Sequence, residues 1–229
     1  MYTLYVGNKN YSSWSLRGWL AAKLSGAEFV EVGVQLSGES QPNPANRTFS
    51  PTARVPCLHD GATVVWDSLA IAEYLAERHA GVWPSDPRAR AWARSAAAEM
   101  HSSFTALRNT CPMSCGVRVR PHPMSDALKH DLFRLGDLWN DGLRRFGGPF
   151  LAGNSFTAVD AFFAPVAFRI QSYGLRIDGP AAGYAARLLE LPAMQEWYAS
   201  ALAEPWREPD HEMEVSAAGI LTEDLRASA

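Results

Sequence analysis

The spacing of apolar residues changes once along the chain, near Pro84, and no other feature constrains the fold as much. Up to about Arg78 short strand-like runs alternate with helical ones, whereas beyond Pro87 the chain is Ala-rich and helical almost throughout. Residues 2–6 have the aromatic and β-branched content of a strand. Residues 13–24 set Leu16, Trp19, Leu20 and Leu24 on one helical face, and Gly26 ends that helix. Residues 28–36 alternate Phe29, Val30, Val32 and Val34 with polar neighbours, so the chain opens as β-α-β, a unit that favours a parallel strand pair. After a Gly/Ser/Pro/Asn-rich loop at 37–50, residues 55–59 and 63–66 flank Asp60-Gly61. That pair predicts a hairpin with a type I′ turn, both of whose central residues want positive φ. Residues 68–78 predict a helix with Leu69, Ile71, Ala72 and Leu75 as its apolar stripe and Asp67 or Ser68 as its N-cap.

This pattern predicts an α/β domain at 1–79, a linker at 80–86 and an all-helical domain at 87–229. Asp86-Pro87 is the N-cap and first-turn proline that would open the second domain. Helices are predicted at 87–107, 125–146, 157–173, 181–189 and 192–203. The last 25 or so residues are acidic and weakly patterned, and read as a tail that wraps the surface or lacks fixed structure. A chain of 229 residues can bury roughly 70% of its unfolded surface, so it needs no covalent staples.

The 21 Lys+Arg against 24 Asp+Glu give a net charge of −3, which argues against a nucleic-acid or anionic-membrane binder held by bulk charge. The odd set Cys57, Cys111 and Cys115 forms no complete disulfide framework and fits a reducing compartment. The first residues lack the basic and apolar regions of an export signal, which points to a cytoplasmic protein. The longest run without an acidic or basic residue is 146–159, short of the ~20 residues that a membrane span needs. No Walker loop, Gly-x-Gly-x-x-Gly or His-Glu-x-x-His motif occurs. Cys111 and Cys115 with His101 and His122 match no common zinc spacing, so no metal is expected.

Three short segments could carry chemistry. Ser12-Ser13-Trp14-Ser15-Leu16-Arg17 lies where the first strand meets the first helix. An ordinary N-cap explains its serines, yet a helix N-terminus also stabilises an anion such as a thiolate, and a hydroxyl there can donate to sulfur. Arg54-Val55-Pro56 starts a strand with a residue that has no N–H, a place for a cis bond that would turn the Val55 N–H and C=O toward an extended, peptide-like ligand. Asp67-Ser68 is either a cap or a grip for an α-amino and carboxylate group. Farther on, Thr157 and Asp160 are spaced for a shortened capping box, read as structural. The run Phe162 to Phe168 behind it is a buried core helix in which Pro165 makes a kink.

In this order the segments resemble the cytosolic glutathione S-transferases over nearly the whole chain, and Ser12 to Arg17 is similar to the Ser-Ser-Cys-Ser-x-Arg signature of the zeta class, which includes maleylacetoacetate isomerases. The resemblance implies a thioredoxin-like N-terminal domain plus an all-α C-terminal domain, with glutathione as co-substrate. It implies that Ser12, with Ser13 as its rival, donates to the glutathione sulfur. It also implies that Val55 and Pro56 pair with the cysteinyl backbone and that Asp67 and Ser68 hold the γ-glutamyl end. For the glycine end the candidates are Gln41, then Arg47 and Arg54. Trp14 stands where the zeta signature has cysteine, which argues against chemistry on a protein thiol. A homodimer is implied as well.

The electrophile is expected between the domains. No acid occurs between Glu99 and Asp126, while His101, Arg108 and Arg118 fall in that window. They make either a solvated basic loop or, with Trp14, a pocket for a carboxylated substrate, because Arg grips carboxylates with a bidentate fork. The leading expectation is an enzyme that conjugates glutathione to a small electrophile or isomerises an unsaturated diacid. The alternatives are a glutathione-binding module without turnover and, more remotely, a redox enzyme using a protein thiol.

Overall fold

A computed structural model describes residues 1–36 and 43–227. Strand β1 (Tyr2–Gly7), helix α1 (Ser13–Leu24) and strand β2 (Phe29–Val34) form the opening unit, and β1 pairs with β2 in parallel. After a short 3-10 turn at Pro44–Thr48, strands β3 (Cys57–Asp60) and β4 (Thr63–Trp66) extend the sheet antiparallel, in the order β2-β1-β3-β4. Asp60 pairs with Thr63, so the hairpin loop is Gly61-Ala62, with Gly61 at φ 57°. The predicted type I′ turn centred on Asp60-Gly61 is therefore displaced by one residue, because Asp60 stays in the ladder and glycine alone takes the positive φ. Helix α2 (Ser68–Ala76) completes this α/β unit and buries Ile71, Ala72 and Leu75.

The second unit consists of α3 (Pro87–Ser102), α4 (Thr105–Thr110), α5 (Asp126–Phe146), α6 (Ala158–Tyr173), α7 (Tyr184–Leu189), α8 (Pro192–Ala203) and α9 (Pro209–Ala218), with strands β5 (Val117–Pro121) and β6 (Gly219–Asp224). Helix α6 is its axis: fourteen of its residues, Pro165 among them, are buried. The carboxylate of Asp160 completes the capping box by accepting the Thr157 N–H at 2.9 Å, and it also receives the Leu151 N–H at 3.0 Å and the Tyr184 hydroxyl at 2.7 Å. The linker is packed rather than loose. Val82 and Trp83 are buried, and the Val82 carbonyl accepts the Ala158 N–H at 2.7 Å, so both units share one apolar core.

Two expectations are corrected. The single helix at 87–107 is two, because Ser103 is extended and Phe104 is left-handed at φ 60°, which turns the chain and buries the Phe104 ring. Of the two readings of the tail, the one without fixed structure does not hold over the described residues: α9 is followed by β6, which pairs antiparallel with β5, setting Arg118 opposite Glu223. This pairing joins segments about a hundred residues apart, and neither strand has a neighbouring hairpin partner that would reveal it locally.

Candidate active site

The start of α1 faces the helical unit. Ser12 is the N-cap: its Oγ accepts the Ser15 N–H at 3.3 Å and donates to Ser15 Oγ at 2.8 Å, while Ser15 Oγ accepts the Gly7 N–H at 2.9 Å. The cap is thus tied to the end of β1. Ser13, one residue inside the helix, is buried, and its hydroxyl has no hydrogen-bond partner among the described residues. The partial positive charge of the helix terminus is concentrated at these two serines.

Two further segments close on the same helix. The Val55–Pro56 peptide is cis, as the sequence suggests. Gly18, one turn into α1, makes room for the proline ring: a Cβ there would stand 3.1 Å from Pro56 Cγ. Asp67 adopts φ 74° and caps α2, accepting the Leu69 N–H at 2.8 Å. Ser68 is buried and its Oγ has no hydrogen-bond partner among the described residues.

Across the domain boundary, α3 delivers His101. Its Nε2 lies 3.4 Å from Asp67 Oδ2, and its ring meets Trp14 edge-on at 5.1 Å. The half-buried Trp14 ring also receives two guanidinium groups, Arg17 at 4.5 Å and Arg108 at 4.2 Å from its centroid. Arg17 is fully buried and none of its three nitrogens has a hydrogen-bond partner among the described residues. Burial, reinforced by Arg108 and Arg169, holds its pKa well below the usual range, and Asp67 opposes that shift. Burial likewise lowers the His101 pKa, with Asp67 opposing and the two arginines adding to the effect. The sequence reading assigned Arg17 only to a motif. Its spacing of three from Trp14 on a helix is the signal that places both on one face.

Not every candidate joins this group. Arg118 is turned away to β5 and α8: its guanidinium donates to the Cys115 and Val117 carbonyls at 3.3 and 2.8 Å and to the Tyr198 hydroxyl at 3.3 Å. The structure therefore does not bring Arg108 and Arg118 together as expected: Arg108 and His101 stand against Trp14, and Arg118 does not join them. Arg47 and Arg54 are exposed, and Gln41 lies outside the described residues. All three cysteines are free and buried. Burial pushes Cys111 up to about 11 and raises Cys57 and Cys115 as well, which disfavours the thiolate that a redox reaction would need. Among the described residues no group of His, Cys, Asp and Glu could hold a metal ion, and no helix is long and apolar enough to cross a membrane.

A thioredoxin-like α/β unit whose first helix starts beneath paired hydroxyls, backed by a helical unit that supplies the second wall, defines a two-domain transferase architecture of the thiol-binding kind. The chain belongs to the glutathione S-transferase family: the profile of the glutathione S-transferase N-terminal domain matches residues 11–78, that of the C-terminal domain matches residues 125–200, and together they span more than half the chain. Among curated relatives, a zeta class glutathione S-transferase of Euphorbia esula is 29% identical over 67% of this chain and 70% of its own. A maleylacetoacetate isomerase of Rattus norvegicus is 25% identical over 90% of this chain and 94% of its own. Among solved structures, a glutathione transferase homolog from Burkholderia with bound glutathione superimposes with a TM-score of 0.64 at 25% identity, covering 87% of this chain and 97% of that one. The Drosophila melanogaster isozyme E7 shares the fold at a TM-score of 0.67 and 19% identity, covering 96% and 98%.

Proposed function

We propose that this protein is a glutathione transferase that binds its co-substrate along the edge formed by Val55, Pro56, Asp67 and Ser68, ionises the thiol at the start of α1, and delivers it to an electrophile held against Trp14, His101 and Arg108. The observation that supports this reading is the gathering of unsatisfied buried polar atoms around Trp14 and Asp67. Ser68 Oγ, His101 Nδ1 and the three Arg17 nitrogens all lack hydrogen-bond partners among the described residues. Buried polar groups are nearly always bonded, and a cluster of exceptions in one place marks where a ligand supplies the missing bonds.

The chemistry follows from the local charges. A thiol over a helix N-terminus can have its pKa lowered to about 3.5–7.5, which leaves much of it ionised at neutral pH. Ser13 has an uncommitted hydroxyl for the sulfur, whereas Ser12 must turn its proton away from Ser15 to do the same. In conjugation the sulfur forms a bond to carbon and a leaving group departs with the electron pair. In cis–trans isomerisation of an unsaturated diacid, the thiolate adds to the double bond, the resulting single bond rotates, and the thiolate leaves unchanged. The paired arginines at Trp14 favour a carboxylated electrophile. The family resemblance further implies a homodimer in the cytoplasm.

Calorimetry with glutathione on the wild type, Ser12→Ala and Ser13→Ala, with the thiolate absorbance followed in parallel, tests the reading. The expected result is binding in all three and a thiolate signal lost in one serine variant, which identifies the donor. Binding without thiolate in the wild type would instead make the protein a non-catalytic glutathione-binding module.

A further inference from the structure

The loop that carries the serines is held from the opposite end of the chain. Asn8, Lys9, Asn10 and Tyr11 are all buried, and each is bonded to the helical unit. Both carboxylate oxygens of Glu204, just beyond α8, accept the Lys9 N–H, at 3.0 and 2.8 Å. The Lys9 carbonyl accepts the Trp197 indole N–H at 2.9 Å. Asn10 donates its amide to the Ala201 carbonyl at 2.5 Å, and its side-chain oxygen accepts the Gly116 N–H at 3.2 Å. Tyr11 donates to Glu212 at 2.5 Å and accepts from Arg226 at 3.1 Å, with Arg226 itself gripping Glu212 and Asp224. The Asn8 carbonyl in turn accepts the Ser12 N–H at 2.9 Å, so a shift of the loop passes directly to the cap.

We propose that Glu204 is a positioning residue for thiol activation, fixing the Lys9 peptide so that Ser12 and Ser13 stand where the sulfur ionises. This inference rests on the thiol-activation reading above. Glu204 touches neither serine, so it acts through the loop alone. Its carboxylate is suited to the task because two oxygens share one N–H, and a charge-assisted bond of this kind is about twice as strong as a neutral one. Pro56, Asp67 and Ser68 are held by other contacts, so losing Glu204 should misplace the serines without dismantling the rest of the glutathione edge.

The test compares wild type with Glu204→Ala, Glu204→Gln and, as a control, Glu196→Gln, whose carboxylate pairs with exposed Lys23 on the surface. Three quantities are read: the pH profile of kcat at saturating glutathione, which reports the bound thiol, the affinity for glutathione by calorimetry, and Tm. Glu204→Ala should raise the pKa of the bound thiol and lower kcat roughly ten- to hundredfold with affinity nearly unchanged, since small misplacements far from the chemistry cost that much. Glu204→Gln keeps one acceptor and should fall between, and Glu196→Gln should match the wild type. If Glu204→Ala does not fold, Glu204→Gln carries the comparison. A wild-type thiolate that survives the Glu204 substitutions unchanged overturns the proposal alone. No thiolate in the wild type overturns the thiol-activation reading, and this proposal with it.

Discussion

His101 Nε2 lies 3.4 Å from Asp67 Oδ2, so the residue that caps α2 in the α/β unit faces an imidazole delivered by α3 of the helical unit. Burial outweighs the attraction of Asp67, and Arg17 and Arg108 add to it, so the imidazole is held neutral more firmly than in water. The folded pKa is depressed, so the stability from this group is present above the unfolded value and is lost as pH falls through the folded one. An NMR titration should find the His101 midpoint below its ordinary 6.5. Asp67→Asn should lower it further by removing the one partner that favours the charged form. A midpoint at or above the ordinary value would contradict the described surroundings.

The separation of Arg108 from Arg118 gives a second prediction. Arg108 stands 4.2 Å over Trp14 and donates to the His101 carbonyl at 3.3 Å, whereas Arg118 is turned to the Cys115 and Val117 carbonyls and Tyr198, away from Trp14. Arg108→Leu should raise KM for a carboxylated electrophile roughly tenfold or more, because a hydrogen bond to a charged group contributes about 1.5–3 kcal/mol. A neutral aryl halide should be little affected, and Arg118→Leu should not discriminate between the two substrates. Steady-state kinetics on a matched pair of electrophiles checks this. Equal losses on both substrates with Arg108→Leu would remove the anion-binding role.

Asp160 ties folding stability to pH. Burial pushes its pKa up from 3.8 to about 6, against the opposing pull of Tyr184, Leu151 and Thr157. A raised carboxyl contributes stability that is complete below the unfolded pKa and is lost as pH rises through the folded one. The wild type should therefore lose on the order of 3 kcal/mol relative to Asp160→Asn between about pH 4 and pH 7. Urea denaturation of both proteins at intervals across that window isolates the effect, since the other groups cancel in the difference. A difference that stays constant with pH would show that Asp160 is ionised as easily in the fold as in the unfolded chain.

Much of the local geometry of the candidate site was legible because it depends on caps. Ser12, Asp67, Asp86 and Ser125 each bond an N–H two or three residues ahead, a geometry that a short stretch of sequence specifies. The β-α-β opening, the hairpin and the Thr157–Asp160 pair are legible for the same reason: their signals are near neighbours. The one-residue displacement of the hairpin turn and the break at Phe104 mark the limit of that reading. Each was decided by which residue the ladder or the core retained.

What the sequence by itself determined was the order of elements, the starts of the helices and the serine, proline and aspartate positions on one edge. Only the tertiary structure decided the company those residues keep. Arg17 is an ordinary helical arginine until α6 and α4 enclose it with Phe162 and Arg108. Arg118 resembles a site residue until β6 takes up its strand. Glu204 is one acid in an acidic tail until it meets the Lys9 peptide. Each outcome depends on burial and on partners far away in the chain, and the energies of desolvation and charge pairing exist only once those partners are assembled.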